Sequence, residues 1–381
     1  MKKLFIFLSA ICISLTAISC SNDQHSIARM KAVRKLARKN IIKIAITSDK
    51  DSEGSLGIQQ AVDEINQEDG IKGKKIQLVY FDDEHDLKKG IEIAYAICRQ
   101  KDIFAVIGHK NSNITKETSL IYHYYGVVQL NPFSTSASLK YLDFLVNIIL
   151  NDKDSAYKPA SFCLNSSYQN ILVYSENDNF GNSLANSFEY FANELNLKIC
   201  DRGSYESYFK TTDFISQGTY WKKNFDFDAV FVSGDNEHVE NIIAAFRGIG
   251  ITQPIISDDT IADESFFRFL KEQNFEDVYY STDFSVEKCN QDILAKIPEA
   301  HRNAVYCHGY DSVYILKSAL ERTKNFTQNE FYAQFEDALY NDNIFGNISI
   351  KERNITNANV YIMRITGGTS VIVDDLEKRA M

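Results

Sequence analysis

Short apolar runs alternate with amphipathic stretches along most of the chain. "IIKIAIT" (41–47) reads as a strand. In "SLGIQQAVDEIN", which follows, Leu56 or Ile58, Ala61, Val62 and Ile65 share one helical stripe. "KIQLVYF", "LKKGIEIAYAICRQ", "IFAVIG", residues 112–124 and "VVQL" continue the alternation as strand, helix, strand, helix, strand. This order predicts a parallel sheet wrapped on both faces by helices. A second run begins at "NILVYS" (170–175). It continues with a helix from about Asn182 to Leu195, "DAVFVSG", the helix "HVENIIAAFRGIG" and "PIISDD". "NIILNDKDSAYKPASFCLN" reads as a crossing between the two runs. Beyond Tyr280, "YCHGYDSVYILKSALER" and "FTQNEFYAQFEDALY" read as helices. "GNISIKE", "NANVYIMRIT" and "GTSVIVDD" read as closing strands.

Sheets of this kind take ligands outside the C-terminal ends of their strands. Helix N-termini there offer unpaired N–H groups and partial positive charge. Two loops occupy that place. Ser112 and Asn113 follow the third strand, and Ser134 and Thr135 follow the fourth. Hydroxyls and amides at those positions suit a carboxylate or another small polar group. The same residue types are also preferred helix caps, so capping alone is the competing reading.

The front end differs from the body. Lys2 and Lys3 precede the apolar "LFIFLSAICISLTAI", which is short for a membrane span, and the segment ends in "LTAISC". Residues 1–19 resemble a bacterial lipoprotein signal, with Cys20 as the lipid-bearing first residue. A plain secretory peptide or an uncleaved anchor is the alternative. Either way the body is exported. In "SIARMKAVRKLARK", Ile27, Met30, Val33 and Leu36 fall three apart among Arg29, Lys31, Arg34, Lys35, Arg38 and Lys39. Residues 20–40 are therefore expected to form a basic tether, either flexible or resting on anionic headgroups.

Without residues 1–19 the chain has 51 acids against 39 Lys and Arg, a net of −12. Without residues 20–40 as well, the balance is 50 against 33, or −17. An acidic body argues against nucleic acid as a partner. The 381 residues suit two domains. Cys98, Cys163, Cys200, Cys289 and Cys307 are far apart and form no CxxC, so no metal is expected. Cys98 shares helical spacing with Ile91, Ala94 and Tyr95, which reads as core. No GxGxxG follows the first strand, and GxxxxGK[ST], HExxH and GxSxG are missing. No enzyme activity and no cofactor are expected, and His109 and His308 read as structural or site-lining.

The ordered segments together resemble the type I periplasmic binding proteins, especially the branched-chain amino-acid group. "AVDEINQEDGIKGKKIQLVYFDDEHDLKKGIEIA" is similar to the family's first helix, turn, second strand and second helix. "VIGHKNSNIT" and "QLNPFSTSASL" resemble its ligand loops. "ILVYSENDNFGNSLANSFE" resembles the start of its second lobe, and "IFGNISIKERNITNANVYIMRI" its closing strands. The resemblance implies two Rossmann-like lobes, each a parallel sheet flanked by helices, joined by a three-segment hinge with the ligand in the cleft. It implies one lobe over 41–152 plus 282–345 and the other over 153–281 plus 346–381. It further implies that the loops matching Ser112, Phe133 (mainly through its backbone) and Thr135 grip a carboxylate, with Asn113 and Ser134 in the same loops. Asp235 and Asp259, with Asp258 beside it, would then meet an ammonium group. For Asp258 and Asp259 a solvated turn is the alternative.

The chain also departs from the family pattern. "TSDKDSEGSLG" is shorter than the usual first loop, Asp235 stands where an aromatic is common, and Asn111 replaces a cysteine. With Asp235, Asp258 and Asp259 all expected near the cleft, a more polar or cationic ligand than leucine is expected. The implied function is an envelope-anchored lipoprotein that captures a small, amino-acid-like solute for an ABC-type permease. The rival is an envelope lipoprotein of the same fold that regulates a protein partner, for example in cell-wall synthesis, without a small ligand.

Overall fold

The computed structural model describes residues 25–373. In chain order, β1 (Ile41–Ile46), β2 (Lys75–Tyr80), β3 (Ile103–Ile107), β4 (Val128–Asn131) and β5 (Leu145–Asn147) enter a first sheet. Next, β6 (Asn170–Glu176), β7 (Lys198–Tyr205), β8 (Ala229–Ser233), β9 (Ile255–Asp258) and β10 (Val278–Thr282) enter a second. The chain returns to the first sheet with β11 (Asp337–Asn343), β12 (Gly346–Lys351) and β13 (Asn354–Ile355). It ends in the second with β14 (Tyr361–Thr366) and β15 (Thr369–Ile372). It therefore passes three times from one sheet to the other.

The sheet orders are β11-β12-β13-β5-β4-β3-β1-β2 and β15-β14-β10-β9-β8-β6-β7. Both contain the doubly wound 2-1-3-4-5 order, with its switch point between the first and third strands. That places one switch between β1 and β3 and the other between β6 and β8. The central strands β3 (IFAVI) and β8 (AVFVS) are buried at every position, as strands covered on both faces must be.

The compact unit around the first sheet contains the described residues up to Ser134, Tyr141–Ile149 and Asn290–Asn357. The other contains Thr135–Lys140, Leu150–Cys289 and the chain from Ala358. In the first unit, the helices Glu53–Gln67 and Ala304–Arg322 touch backbone to backbone. A Cβ on Gly57 would lie 2.1 Å from the Tyr306 carbonyl oxygen, and one on Gly309 would lie 2.2 Å from that of Gly54. Beside this contact Tyr310 and Tyr314 donate to Glu64 at 2.6 and 2.9 Å. In the second unit Tyr174, Tyr205, Phe214, Trp221 and Phe246 form an aromatic core, with Trp221 Nε1 donating to Asp201 at 2.8 Å.

Several expectations are corrected. Residues 25–37 are not a tether but a helix packed on the first unit. Its Arg29 is fully buried and donates to the carbonyls of Ile103 (2.6 Å), Cys98 (2.9 Å) and Gln100 (3.4 Å). Val33 and Ala37 are buried beside it, while Lys31, Arg34, Lys35, Arg38 and Lys39 stay exposed. "FTQNEFYAQFEDALY" is helical only over Gln328–Ala333. Its end becomes β11, because Asp337–Asn343 pairs antiparallel with β12 around a tight turn. β12 and β13 complete the first sheet, so that unit runs to Asn357 rather than ending at 345. The strands β5 and β7 and the helix Thr211–Asn224 were not anticipated. The proposed signal, residues 1–19, and Cys20 lie outside the described residues.

Candidate functional site

In the first unit, the loops after β3 and β4 are stitched together. Ser134 Oγ lies 3.0 and 2.9 Å from the carbonyl oxygens of His109 and Lys110, and 2.7 Å from Thr115 Oγ1. Asn131 shapes the second loop. Its Oδ1 accepts the Ser134 N–H at 2.8 Å, and its Nδ2 donates to the Ser134 carbonyl at 2.7 Å. The Ser134 hydroxyl is therefore used in holding the loops, and its residue is buried.

The helix Ser112–Tyr125 begins where the first of these loops ends. Ser112 and Asn113 are its first two residues, so they are not its cap. The cap position, Asn111, makes no capping bond and pairs instead with His85 Nδ1 at 2.6 Å. Ser112 and Asn113 thus sit at a helix start, where backbone N–H groups and the helix dipole favour negative charge. Phe133 lays its ring on the first turn of the helix Glu53–Gln67. A Cβ on Gly54 would lie 2.6 Å from its Cζ.

His109 is buried, with Nδ1 2.6 Å from Asp83 and Nε2 3.1 Å from Tyr122 Oη. Desolvation lowers its pKa despite the Asp83 hydrogen bond. Of the two readings given for this histidine, the structural one is what the geometry shows.

Thr135, expected beside Ser134 in function, belongs to the second unit. Its carbonyl accepts the Asp152 N–H at 2.7 Å, and its side chain bonds the Asp152 carboxylate. The remaining expected residues also lie in that unit, at the ends of β8 and β9. Asp235 and Asp259 are exposed, whereas Asp258 is buried and its Oδ1 accepts the Thr260 N–H at 2.8 Å. Thr260 Oγ1 donates to the Gly234 carbonyl at 3.0 Å, which ties the two strand ends together. Thr282 Oγ1, at the end of β10, is 3.4 Å from Asp259. A solvated turn therefore fits Asp259 but not Asp258.

The structure adds residues that sequence reasoning missed. Glu176 ends β6 at the switch point. Its Oε2 accepts the Asp235 N–H at 3.1 Å and faces His238 Nδ1 at 3.5 Å. His238 donates from Nε2 to the Ser207 carbonyl at 3.0 Å. Among the described residues, Glu176, Asp235 and His238 are a group whose ligand atoms all lie within 4.8 Å of one another. Gly234 is required here, since a Cβ would stand 1.9 Å from Tyr205 Oη and 2.9 Å from Glu176 Oε2.

Asp178 caps the next helix through Gly181 N–H at 2.7 Å. Asp152, in the segment read as a crossing, is also buried among these acids. Burial, reinforced by neighbouring carboxylates, raises Asp152 to about 7, Asp258 to about 8, and Glu176 and Asp178 above the usual range. The switch-point rule that pointed to the β3 and β4 loops would also have found Glu176, in "VYSEND".

One unit thus offers a helix start at the end of stitched polar loops, and the other a set of carboxylates, both at strand C-terminal ends. This defines an α/β binding protein of two doubly wound units. The chain belongs to the periplasmic binding protein family, whose sequence profile matches residues 47–369. It is 27% identical over 213 residues to the Leu/Ile/Val-binding protein of Escherichia coli (strain K12), covering 55% of this chain and 57% of that one. It is 24% identical over 216 residues to an amino acid binding protein of Pseudomonas aeruginosa, covering 55% and 56%. The matched stretch therefore spans just over half the length of these relatives.

An ABC transporter substrate-binding protein from Desulfitobacterium hafniense, solved in complex with Leu, superposes with a TM-score of 0.73 at 25% identity. The match covers 87% of this chain and 99% of that one. A leucine binding protein from Thermotoga maritima shares the fold, with a TM-score of 0.77 at 18% identity over 87% and 97% of the two chains. No helix among the described residues is long and apolar enough to cross a membrane.

Proposed function

We propose that this protein is an extracytoplasmic solute-binding lipoprotein. It captures a small, amino-acid-like solute and presents it to an ABC-type permease, and it has no enzymatic role. The observation that carries this reading is the opposite chemistry of the two units. The helix start at Ser112 favours a carboxylate, and the strand ends bearing Asp235, Asp258 and Asp259 favour an ammonium group. The amino-acid ligands in the names of the relatives support solute capture over regulation of a protein partner. Lipid on Cys20 would hold the protein to the cell envelope.

Purified full chain, screened by thermal shift against an amino-acid panel, should be stabilised by at least one member. Mass spectrometry should find a small solute copurifying with it. Asp259→Ala, at an exposed position, should weaken that binding without lowering the Tm of the free protein. If no panel member shifts the Tm and nothing copurifies, solute capture is wrong.

A further inference from the structure

Two carboxylates of the second unit are buried yet incompletely paired. Asp152 and Asp258 are 2% and 5% exposed. Asp152 receives side-chain hydrogen bonds from Ser183 and Thr135, and Asp258 accepts the Thr260 N–H. The Oδ2 atom of each has no hydrogen-bond partner. A carboxylate oxygen withdrawn from water without a partner is costly, and a cation is what relieves that cost. The charges acting most strongly on the two have the wrong sign to help. They are Asp259 and Asp178 on Asp152, and Asp259 and Asp152 on Asp258.

Two lysines of the neighbouring segments are directed elsewhere. Lys140 Nζ is 3.7 Å from Asp154, and Lys153 Nζ lies 5.2 Å from the centre of the Tyr190 ring. A second acidic corner stands at the β6–β8 switch, where Glu176 and Asp235 meet His238. Asp178, two residues beyond Glu176, caps the next helix through Gly181, which packs on the Glu176 carbonyl, and its charge also bears on Asp152. The single ammonium of a neutral amino acid would reach one corner and leave the other with two acids, Glu176 and Asp235, against one histidine, His238.

Building on the solute-capture reading, we propose that the second unit selects solutes with two amine nitrogens, such as lysine, ornithine or a short diamine. One ammonium pairs with the free oxygens of Asp152 and Asp258, and the other with the Glu176–Asp235 corner. The chemistry is that of charge-assisted hydrogen bonds to carboxylates in a partly desolvated setting.

The test is calorimetric titration of the full chain, purified in detergent, with L-lysine, L-ornithine, putrescine and L-leucine. At least one diamino compound should bind, and leucine should bind at least about tenfold more weakly. Asp258→Asn and Asp152→Asn should each weaken binding of that compound by roughly tenfold, with folding checked by circular dichroism. Leucine binding as tightly as the diamino compounds overturns the two-amine class and leaves solute capture standing. No binding by any amine, with no copurifying solute, overturns both. Calcium alone raising the Tm as much as the best amine overturns it in favour of a metal ion.

Discussion

At the scale of single residues, Asp258 shows how the site sets stability against binding. Burial raises its pKa to about 8, with Asp259 and Asp152 adding to the effect. An unfolded aspartate titrates near 4, so between about 4 and 8 the folded chain holds a proton that the unfolded chain has lost. This group's contribution to stability is therefore complete at low pH and is lost as pH rises through that window. Asp258→Asn keeps the Oδ1 acceptor for Thr260 and removes the charge. Its urea midpoint relative to the native protein should rise between about pH 5 and about pH 8.5. An equal difference at both pH values would contradict a buried, ionising Asp258.

The same residue marks how far the site was legible. Ser112, Asn113, Asp235 and Asp259 could be placed because strand ends and helix starts can be read from patterning. The loop-stitching bonds of Ser134, the pairing of Thr135 with Asp152, and the corner built by Glu176 depend on hydrogen bonds between distant segments, which no local pattern records.

At the scale of elements, the contact between the helices Glu53–Gln67 and Ala304–Arg322 rests on missing side chains. Gly57→Ala would drive a methyl group into the Tyr306 carbonyl, backbone that no rotamer change can move. A loss of about 1–3 kcal/mol in chemical denaturation is expected. Gly248→Ala, at a helix end with nothing within 4 Å, should be neutral or slightly stabilising. Equal losses at both positions would mean that helix propensity, not close approach, is what the mutants report. The elements that were easy to read are those with strong periodicity. Ile58, Ala61, Val62 and Ile65 are buried as their spacing implies, and β3 is a continuous apolar run. β7 was missed because it is an edge strand whose positions are mostly half-buried, so it shows no clean alternation. β11 was missed because its pattern DALYNDN is mostly exposed, and it becomes a strand through its pairing with β12.

At the scale of the whole molecule, each unit is assembled from segments far apart in the chain. A fragment ending at Ile149 has β1–β5 but lacks β11–β13 and the helix that covers Gly57. Such a fragment should stay unfolded by circular dichroism and urea titration, whereas the full chain unfolds cooperatively. A cooperatively folded fragment would show that the returning segments are dispensable. The helix over 25–37 carries a further consequence. Because Arg29 pins that helix to the first unit, a lipid on Cys20 would be separated from the folded body by only the residues 21–24. A stretched residue covers at most about 3.6 Å, so the five steps from Cys20 to His25 span at most roughly 18 Å. A body anchored at that distance would not roam the envelope. Under the proposed lipidation the body would ride against the bilayer, with its basic helix near the headgroups, and would meet an integral-membrane partner already confined to that partner's plane.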